Sequence, residues 1–230
     1  MEASVRPVAV SQSLIEGIDS NDLIAYCARV SNPANQMNTE SSDKLVRYLA
    51  KHSHFSPFEM VSVTLEITTT RDIARQILRH RSFSFQEFSQ RYADPTQDLG
   101  FTLREARLQD KKNRQNSIEV NDAALEQEWR LIQAQLVHDA GEAYDWAISK
   151  GIAKEQARAV LPEGLTVSKL YMAGTVRSWI HYCQLRSDNM IDPRTGELIT
   201  GTQKEHKEVA IKCWHEIVKL YPSLETFITL

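Results

Sequence analysis

The residues able to do chemistry in this 230-residue chain gather in three short stretches. The densest runs Arg79-His80-Arg81-Ser82-Phe83-Ser84-Phe85-Gln86-Glu87-Phe88-Ser89-Gln90-Arg91. From Arg71 to Arg91 five arginines stand against only Asp72 and Glu87, in a protein whose net charge is −3. All five are arginine and none is lysine. Arginine stays charged and offers a planar fork that grips phosphate or carboxylate with two hydrogen bonds, so the choice points to recognition of a planar anion. An extended backbone would send Glu87, Ser89 and Arg91 to one side, bringing an acceptor, a hydroxyl and a cation together. Phe83, Phe85 and Phe88, interleaved with these groups, point to a packed and shaped segment rather than a solvated loop.

The second stretch is His52-Ser53-His54-Phe55-Ser56-Pro57-Phe58-Glu59. Two histidines and a carboxylate could begin a metal site, but spacing places no third ligand. Composition alone favours a capped turn before a strand. The third stretch joins Arg158-Ala159-Val160-Leu161-Pro162 to Thr175-Val176-Arg177-Ser178-Trp179-Ile180-His181-Tyr182-Cys183-Gln184-Leu185-Arg186. On a helix Arg177 and His181 lie about 40° apart, whereas Arg186 falls about half a turn away from Arg177. One helix can then address two ligands. Trp179 and Tyr182 read as core.

These residues need elements to hold them. Val5 to Val10 reads as a strand, and Asn21 to Val30 as a helix capped by Ser20 or Asn21. Ser42 to Lys51 reads as a second helix. Val61, Val63, Leu65 and Ile67 alternate with polar residues, the period of a half-buried strand. After Thr70 the pairs Ile73/Ile77 and Ala74/Leu78 signal a helix. Asn121 or Asp122 can cap a long helix with the apolar stripe Leu125, Trp129, Ile132, Leu136, Ala140, Tyr144 and Ile148, closed by Gly151. A short helix spans Ala153 to Val160, Thr166 to Met172 can be extended, and Thr175 caps a helix to Arg186. The last helix runs from Gln203 to Tyr221 with Val209, Cys213, Ile217 and Leu220 inside. The fold class is α+β with helix dominant.

Composition narrows the functions. Hydrophobic residues at 42% and charged residues at 25% are ordinary globular values. A net charge of −3 argues against a general nucleic-acid coat or membrane-surface binder. Neither glycine-based phosphate cradle occurs, so any nucleotide is held another way. Cys27, Cys183 and Cys213 form no C-x-x-C pair, which speaks against a disulfide framework or structural zinc. Without an evident signal peptide or membrane span, the expected location is the cytoplasm.

Arg79-His80-Arg81, seven residues and then Ser89 resembles the R-H-R-x7-S signature of the flavin-dependent thymidylate synthases. His54 to Glu59 resembles their H-x-[ST]-P-F-E element and Arg158 to Pro162 their R-x-V-L-P. Arg177-Ser178 with Leu185-Arg186 resembles their N-A-R-S-L … L-R helix. The elements occur in family order over most of the chain. The resemblance implies one helix-dominant domain over residues 1–230 with a small antiparallel sheet, in a fold peculiar to the family. It also implies a homotetramer with shared active sites, conversion of dUMP to dTMP, a methylene group from methylenetetrahydrofolate, and hydride from FAD reduced by NADPH. No cysteine nucleophile and no metal are needed.

Carried over by resemblance, Ser56, Glu59, Arg79, His80, Arg81, Glu87, Thr175, Val176, Arg177 and His181 contact the flavin. Gln76, Arg79, Glu87, Phe88, Ser89, Gln90, Arg91 and Arg158 hold dUMP. Arg186 favours the N3-deprotonated uracil, making C5 more nucleophilic, while His54 and Ser89 lie at the reacting centre. The chain departs from the family at Gln86 and Thr175, where asparagine is frequent. After Arg186 the usual H-A-Q-x-E-[IV] is interrupted by an insert at about 188–201, with turn-like Asp192-Pro193-Arg194-Thr195-Gly196. Thr202 to Glu205 is then the best match to that element, and the usual histidine is missing. The insert is expected to form a small hairpin or lid at the edge of the site. Two other readings carry less: a metal-dependent nucleotide hydrolase using His52, His54 and Glu59, and an RNA-binding module using Arg71 to Arg91 and Arg104 to Arg114. The net charge and the acidic run from Glu119 to Asp145 weigh against the second.

Overall fold

Strand β1 (Ser4–Val10) leads into helix α1 (Ser20–Ala28), and α2 covers Ser42–Lys51. The cap of α1 is Asp19, not Ser20 or Asn21: its carboxylate accepts from the Asp22 amide at 2.7 Å. A carboxylate there also meets the positive end of the helix dipole, which a hydroxyl or amide does not. Helix α2 ends in a Schellman arrangement, with Ser53 left-handed (φ 58°) and the His54 amide donating to the Leu49 carbonyl at 2.9 Å. A 3-10 turn over Ser56–Glu59 precedes β2 (Ser62–Thr70) and α3 (Arg71–Ile77).

Next come β3 (Ser84–Glu87), α4 (Pro95–Asp98), β4 (Arg107–Gln109) and β5 (Ser117–Glu119). The long helix α5 (Ala123–Ser149) starts at Asp122, whose side chain accepts from the amides of Ala124 and Leu125, and stops at Gly151 with φ 75°. Helix α6 (Lys154–Ala157) tightens into a 3-10 turn at Arg158–Val160. Strand β6 (Val167–Thr175), helix α7 (Val176–Arg186) and helix α8 (Lys204–Leu220) complete the chain. This computed structural model describes residues 2–192 and 194–228. The architecture is helix-rich α+β. One sheet has the order β1-β2-β6-β3, and β4 pairs with β5 antiparallel as a separate ribbon.

The chain divides into two units, and it passes between them within β2, β3 and β6. The first holds Thr68–Arg79 and Gln86–Leu170 together with the start of the chain. Its α5 packs on α6. The second holds Ser4–Ile67, His80–Phe85 and Tyr171–Leu230. There α7 packs on α8, and α1 packs on α2. Ile24, Val46, Phe58, Trp179, Cys213 and Ile217 are buried in this unit, in line with the alternation and helical periods in the sequence.

Two further expectations need correction. Three members of the stripe assigned to the inside of α5 are outside, with Trp129 40%, Ile132 55% and Leu136 50% exposed; its members Ala140 and Tyr144 are buried as expected, joined by Gln133 and Ala147, which the stripe did not include. Gln133 earns its place through hydrogen bonds, its side chain accepting from the Arg104 amide (2.8 Å) and donating to the Arg104 carbonyl (2.9 Å). The extended path from Glu87 to Arg91 also ends early. Strand β3 stops at Glu87, and the Tyr92 amide turns back onto the Ser89 carbonyl at 3.1 Å. In the insert, Ile191 and Leu198 form an antiparallel bridge, and the Asp192 amide donates to the Glu197 carbonyl at 2.8 Å. The insert is a tight hairpin; Pro193 lies outside the described residues. No described helix is long and apolar enough to cross a membrane.

Candidate functional site

In the second unit, α7 organises both ends of a polar arrangement. At its start the Thr175 hydroxyl accepts from the Ser178 amide (3.3 Å), the ordinary act of a cap, and donates to Glu59 at 2.9 Å. The other Glu59 oxygen takes the Arg177 guanidinium at 2.6 Å. Glu59 thus closes its 3-10 turn against the first turn of α7, with both oxygens used. Beside this pair lies a cleft of about 500 Å³ whose walls include Leu49, Ser53, His54, Ser56, Pro57 and Arg177. The left-handed Ser53 ends α2 one residue before His54, and the rings of Tyr48 and His52 stand 4.3 Å apart alongside.

At the far end of α7 the Arg186 Nε–H donates to His80 Nε2 at 3.0 Å. Because arginine only donates, His80 accepts there through a lone pair and is neutral, with its proton on Nδ1. Its ring stands perpendicular to that of Tyr182 with centroids 4.9 Å apart. Tyr182 is fully buried and its hydroxyl lies 3.2 Å from His206 Nε2. Burial, with the Arg186 cation adding repulsion, pushes the His206 pKa down to about 3, so His206 is neutral. The loop after His80 is anchored by Phe83, which packs edge-on to Trp179 at 4.8 Å and against Gly174. The Ser178 hydroxyl donates to the Ser82 carbonyl at 3.2 Å. Arg81 and His181 are exposed, and Val176 is buried.

In the first unit, Glu87 is the hub. One of its oxygens accepts from the Ser168 hydroxyl at 2.9 Å and lies 3.7 Å from Arg71. The other takes Arg75 at 3.1 Å, and Arg75 also reaches Glu163 at 3.4 Å. Burial, then the neighbouring Arg75, lowers the Arg71 pKa against the pull of Glu87 and Glu163; the guanidinium stays charged. The Phe88 amide donates to the Lys169 carbonyl at 2.8 Å. Ser89 Oγ accepts from the Arg91 amide at 3.4 Å, and Gln90 is buried. Arg91 pairs with Glu155 at 3.1 Å, and Arg158 Nε–H donates to the Glu155 carbonyl at 3.3 Å. Gln76 is half-buried on α3, and Arg79 is exposed just beyond its end.

The expected residues therefore fall into two sets. His54, Ser56, Glu59, His80, Arg81, Thr175, Val176, Arg177, His181 and Arg186 belong to the second unit. Gln76, Arg79, Glu87, Phe88, Ser89, Gln90, Arg91 and Arg158 belong to the first. Arg177 and Arg186 take different partners, as their half-turn separation requires. Sequence reasoning missed Arg71, Arg75 and Ser168, which hold Glu87; the arginine count flagged the first two, but nothing local pointed to Ser168. It also missed His206. Had Glu208-Val209 been matched to E-[IV], His206 would have fallen at the glutamine position of the family pattern. His52, His54 and Glu59 do not form a three-ligand group. Among the described residues, such a cluster is His138, Asp139 and Glu142, exposed on α5.

Comparison with known proteins adds to this geometry. The family model described as thymidylate synthase complementing protein matches residues 13–223. The probable flavin-dependent thymidylate synthase of Paramecium bursaria Chlorella virus 1 is 43% identical over 222 residues, 96% of each chain. The flavin-dependent thymidylate synthase of Synechocystis is 47% identical over 209 residues, 91% of this chain and 89% of the relative. Among solved structures, the UMP/dUMP methylase PolB of Streptomyces cacaoi bound with 5-Br UMP has a TM-score of 0.77 at 27% identity, covering 98% of this chain and 95% of its own.

Proposed function

Because the chain belongs to the thymidylate synthase complementing protein family, that of the flavin-dependent thymidylate synthases, we propose a division of labour for its methylation of dUMP to dTMP. The observation that carries it is that α7 directs Arg177 to Glu59 at one end and Arg186 to His80 at the other. One helix can then serve a cofactor and a pyrimidine at once.

The donor set of the second unit fits a flavin dinucleotide. The cleft offers the hydroxyls of Ser53 and Ser56, the His54 ring and the Arg177 cation, groups suited to a diphosphate and to aromatic contact. Ser56, Glu59, Thr175, Val176 and Arg177 would hold FAD, with Arg79, His80, Arg81, Glu87 and His181 lining it. When bound, FAD reduced by NADPH supplies hydride, and methylenetetrahydrofolate is the one-carbon donor. Glu59 holds the Arg177 side chain in place before any ligand arrives, which lowers the ordering cost of binding.

Gln76, Arg79, Glu87, Phe88, Ser89, Gln90, Arg91 and Arg158 would hold dUMP, with Arg91 and Arg158 suited to its phosphate. Arg71, Arg75 and Ser168 keep the Glu87 carboxylate oriented. Arg186 would stabilise negative charge as uracil N3 loses its proton, which raises the nucleophilicity of C5. A permanent cation aimed at developing charge in a dry site needs no proton transfer of its own. His54 and Ser89 sit at the reacting centre in this reading. Burial raises the thiol pKa values of Cys183 and Cys213, holding both as thiols, which supports a mechanism without a cysteine nucleophile. The three unpaired cysteines fit a cytoplasmic location. The exposed apolar face of α5 supports assembly as a homotetramer. The family match spans both units, which supports one functional domain.

Purified protein should carry flavin absorbance and release tritium from 5-tritiated dUMP only with methylenetetrahydrofolate and NADPH present. Arg186→Ala should abolish release while flavin stays bound. Colourless protein that FAD cannot reconstitute would sink the proposal, and full activity in Arg186→Ala would refute the role of that arginine.

A further inference from the structure

Four side chains from three parts of the second unit meet at the buried end of α7. Tyr182 and Arg186 are four residues apart on one helix, so they share a face, and both touch His80. Arg186 holds the imidazole by its Nε2 lone pair, and the Tyr182 ring sets its plane through a perpendicular contact. The Tyr182 ring is held in turn by the hydroxyl contact to His206 Nε2 at 3.2 Å. His206 is fully buried in the first turn of α8, and its ring centroid lies 6.2 Å from that of His80. The neighbouring Lys207 pairs with Asp188 at 3.2 Å, tying the start of α8 to the residue where the insert begins.

A buried hydroxyl and a buried imidazole are costly to desolvate, and two apolar side chains would fill this space without that cost. What the polar pair adds is direction, since a hydrogen bond restricts rotation where apolar contacts do not. Resting on the function proposed above, we infer that the Tyr182–His206 pair positions His80, and through it the Arg186 guanidinium, for methylation of dUMP. Neither residue touches a reacting atom in this role; both act through His80. His206 remains neutral throughout the working pH range, so the pair is a fixed strut and not a proton carrier.

The test compares His206→Leu, His206→Gln and Tyr182→Phe with wild type, reading kcat and the KM for dUMP. Tyr182→Phe removes one oxygen from a buried site and keeps the ring, so it decides the matter should the leucine variant fold poorly. Losing the one hydrogen bond that fixes the position of His80 predicts a kcat about 3- to 10-fold lower, with KM within about twofold. Glutamine, which can still reach the tyrosine hydroxyl, should restore most of the loss. The Tyr182→Phe/His206→Leu double variant should be no slower than the worse single one. A second readout needs no flavin or substrate. In protein labelled with 15N-histidine, His80 should hold a single Nδ1–H tautomer in wild type and His206→Gln, and an averaged signal in Tyr182→Phe. Wild-type kcat in Tyr182→Phe, losses that multiply in the double variant, or effects confined to KM would overturn the inference. A wild-type enzyme inactive on dUMP would instead overturn the function, while the tautomer measurement still judges the strut.

Discussion

Gly174 is a position where one added carbon has no room. An ideal Cβ there lies 2.4 Å from Phe83 Cδ1, 2.6 Å from Cε1 and 3.2 Å from Cγ. Ordinary carbon contacts begin near about 3.5 Å, so the ring must retreat by roughly 1 Å. It has little room, because Trp179 stands edge-on at 4.8 Å, Tyr182 is 6.0 Å away, and all three side chains are buried. Overpacking of this kind costs about 1–3 kcal/mol. At this chain length each kcal/mol lowers Tm by about 2–4 °C, so Gly174→Ala should melt roughly 4–8 °C lower for a cost near 2 kcal/mol. The displaced ring also disturbs function. The Phe83 amide donates to the His80 carbonyl at 3.3 Å, so a shift of Phe83 drags the turn that carries His80 and Arg81. Flavin affinity, followed by fluorescence quenching, should weaken in the same variant. Phe83→Leu alone removes packed atoms and costs about 1–3 kcal/mol, but combined with Gly174→Ala it makes room for the new methyl. The double variant should therefore melt well above the sum of the two single losses. A Gly174→Ala protein that melts within about 1 °C of wild type, or strict additivity in the double variant, refutes the packing argument.

Charge placed on the outer face of α5, as Ile132→Glu with Leu136→Glu, should leave helix content intact and reduce the sedimentation coefficient from that of a tetramer; an unchanged coefficient removes this face from the assembly. Acid should destabilise the wild type through His206, whose pKa falls from an ordinary 6.5 to about 3 in the fold. The unfolded chain then binds a proton below pH 6.5 that the fold refuses, so stability is complete above pH 6.5 and is lost as pH falls toward 3. Burial causes this shift first, and the Arg186 cation adds to it. Melting curves from pH 7.5 to 5 should fall less steeply for His206→Leu, by about 1.4 kcal/mol per pH unit at most; equal slopes would refute a neutral His206. Replacing residues 190–199 by a short glycine linker, with Asp188 and its pairing to Lys207 kept, should raise the KM for methylenetetrahydrofolate while the flavin stays bound. Unchanged folate and NADPH kinetics would show that the hairpin is no lid.

What sequence reasoning could reach was set by how far each signal travels along the chain. Caps, periods and turn residues act within a few positions, which is why Asp122 and Thr175 were legible as helix starts and Val61 to Ile67 as a strand. The half-turn between Arg177 and Arg186 was equally local, and it led to two different partners for one helix. The partners themselves were not local. Glu59 lies 118 positions from Arg177, and His80 lies 106 from Arg186. Only the family motifs marked both ends of those pairs. His206 had no such mark, because an insert had moved it away from Arg186 in sequence while the packing of α7 on α8 kept it beside Tyr182. Helix α5 shows a second limit. Period 3.6 reveals that a helix has an apolar stripe, but it cannot say whether the covering surface comes from the same chain. Within the first unit the side turned inward is lined by Ala140, Tyr144 and Ala147 with a hydrogen-bonded glutamine, leaving Trp129, Ile132 and Leu136 outside. A face carrying three large apolar groups at helical spacing is costly to leave in water. In the proposed tetramer another copy of the same chain would cover it, so the misread part of the α5 stripe and that proposal share one physical cause.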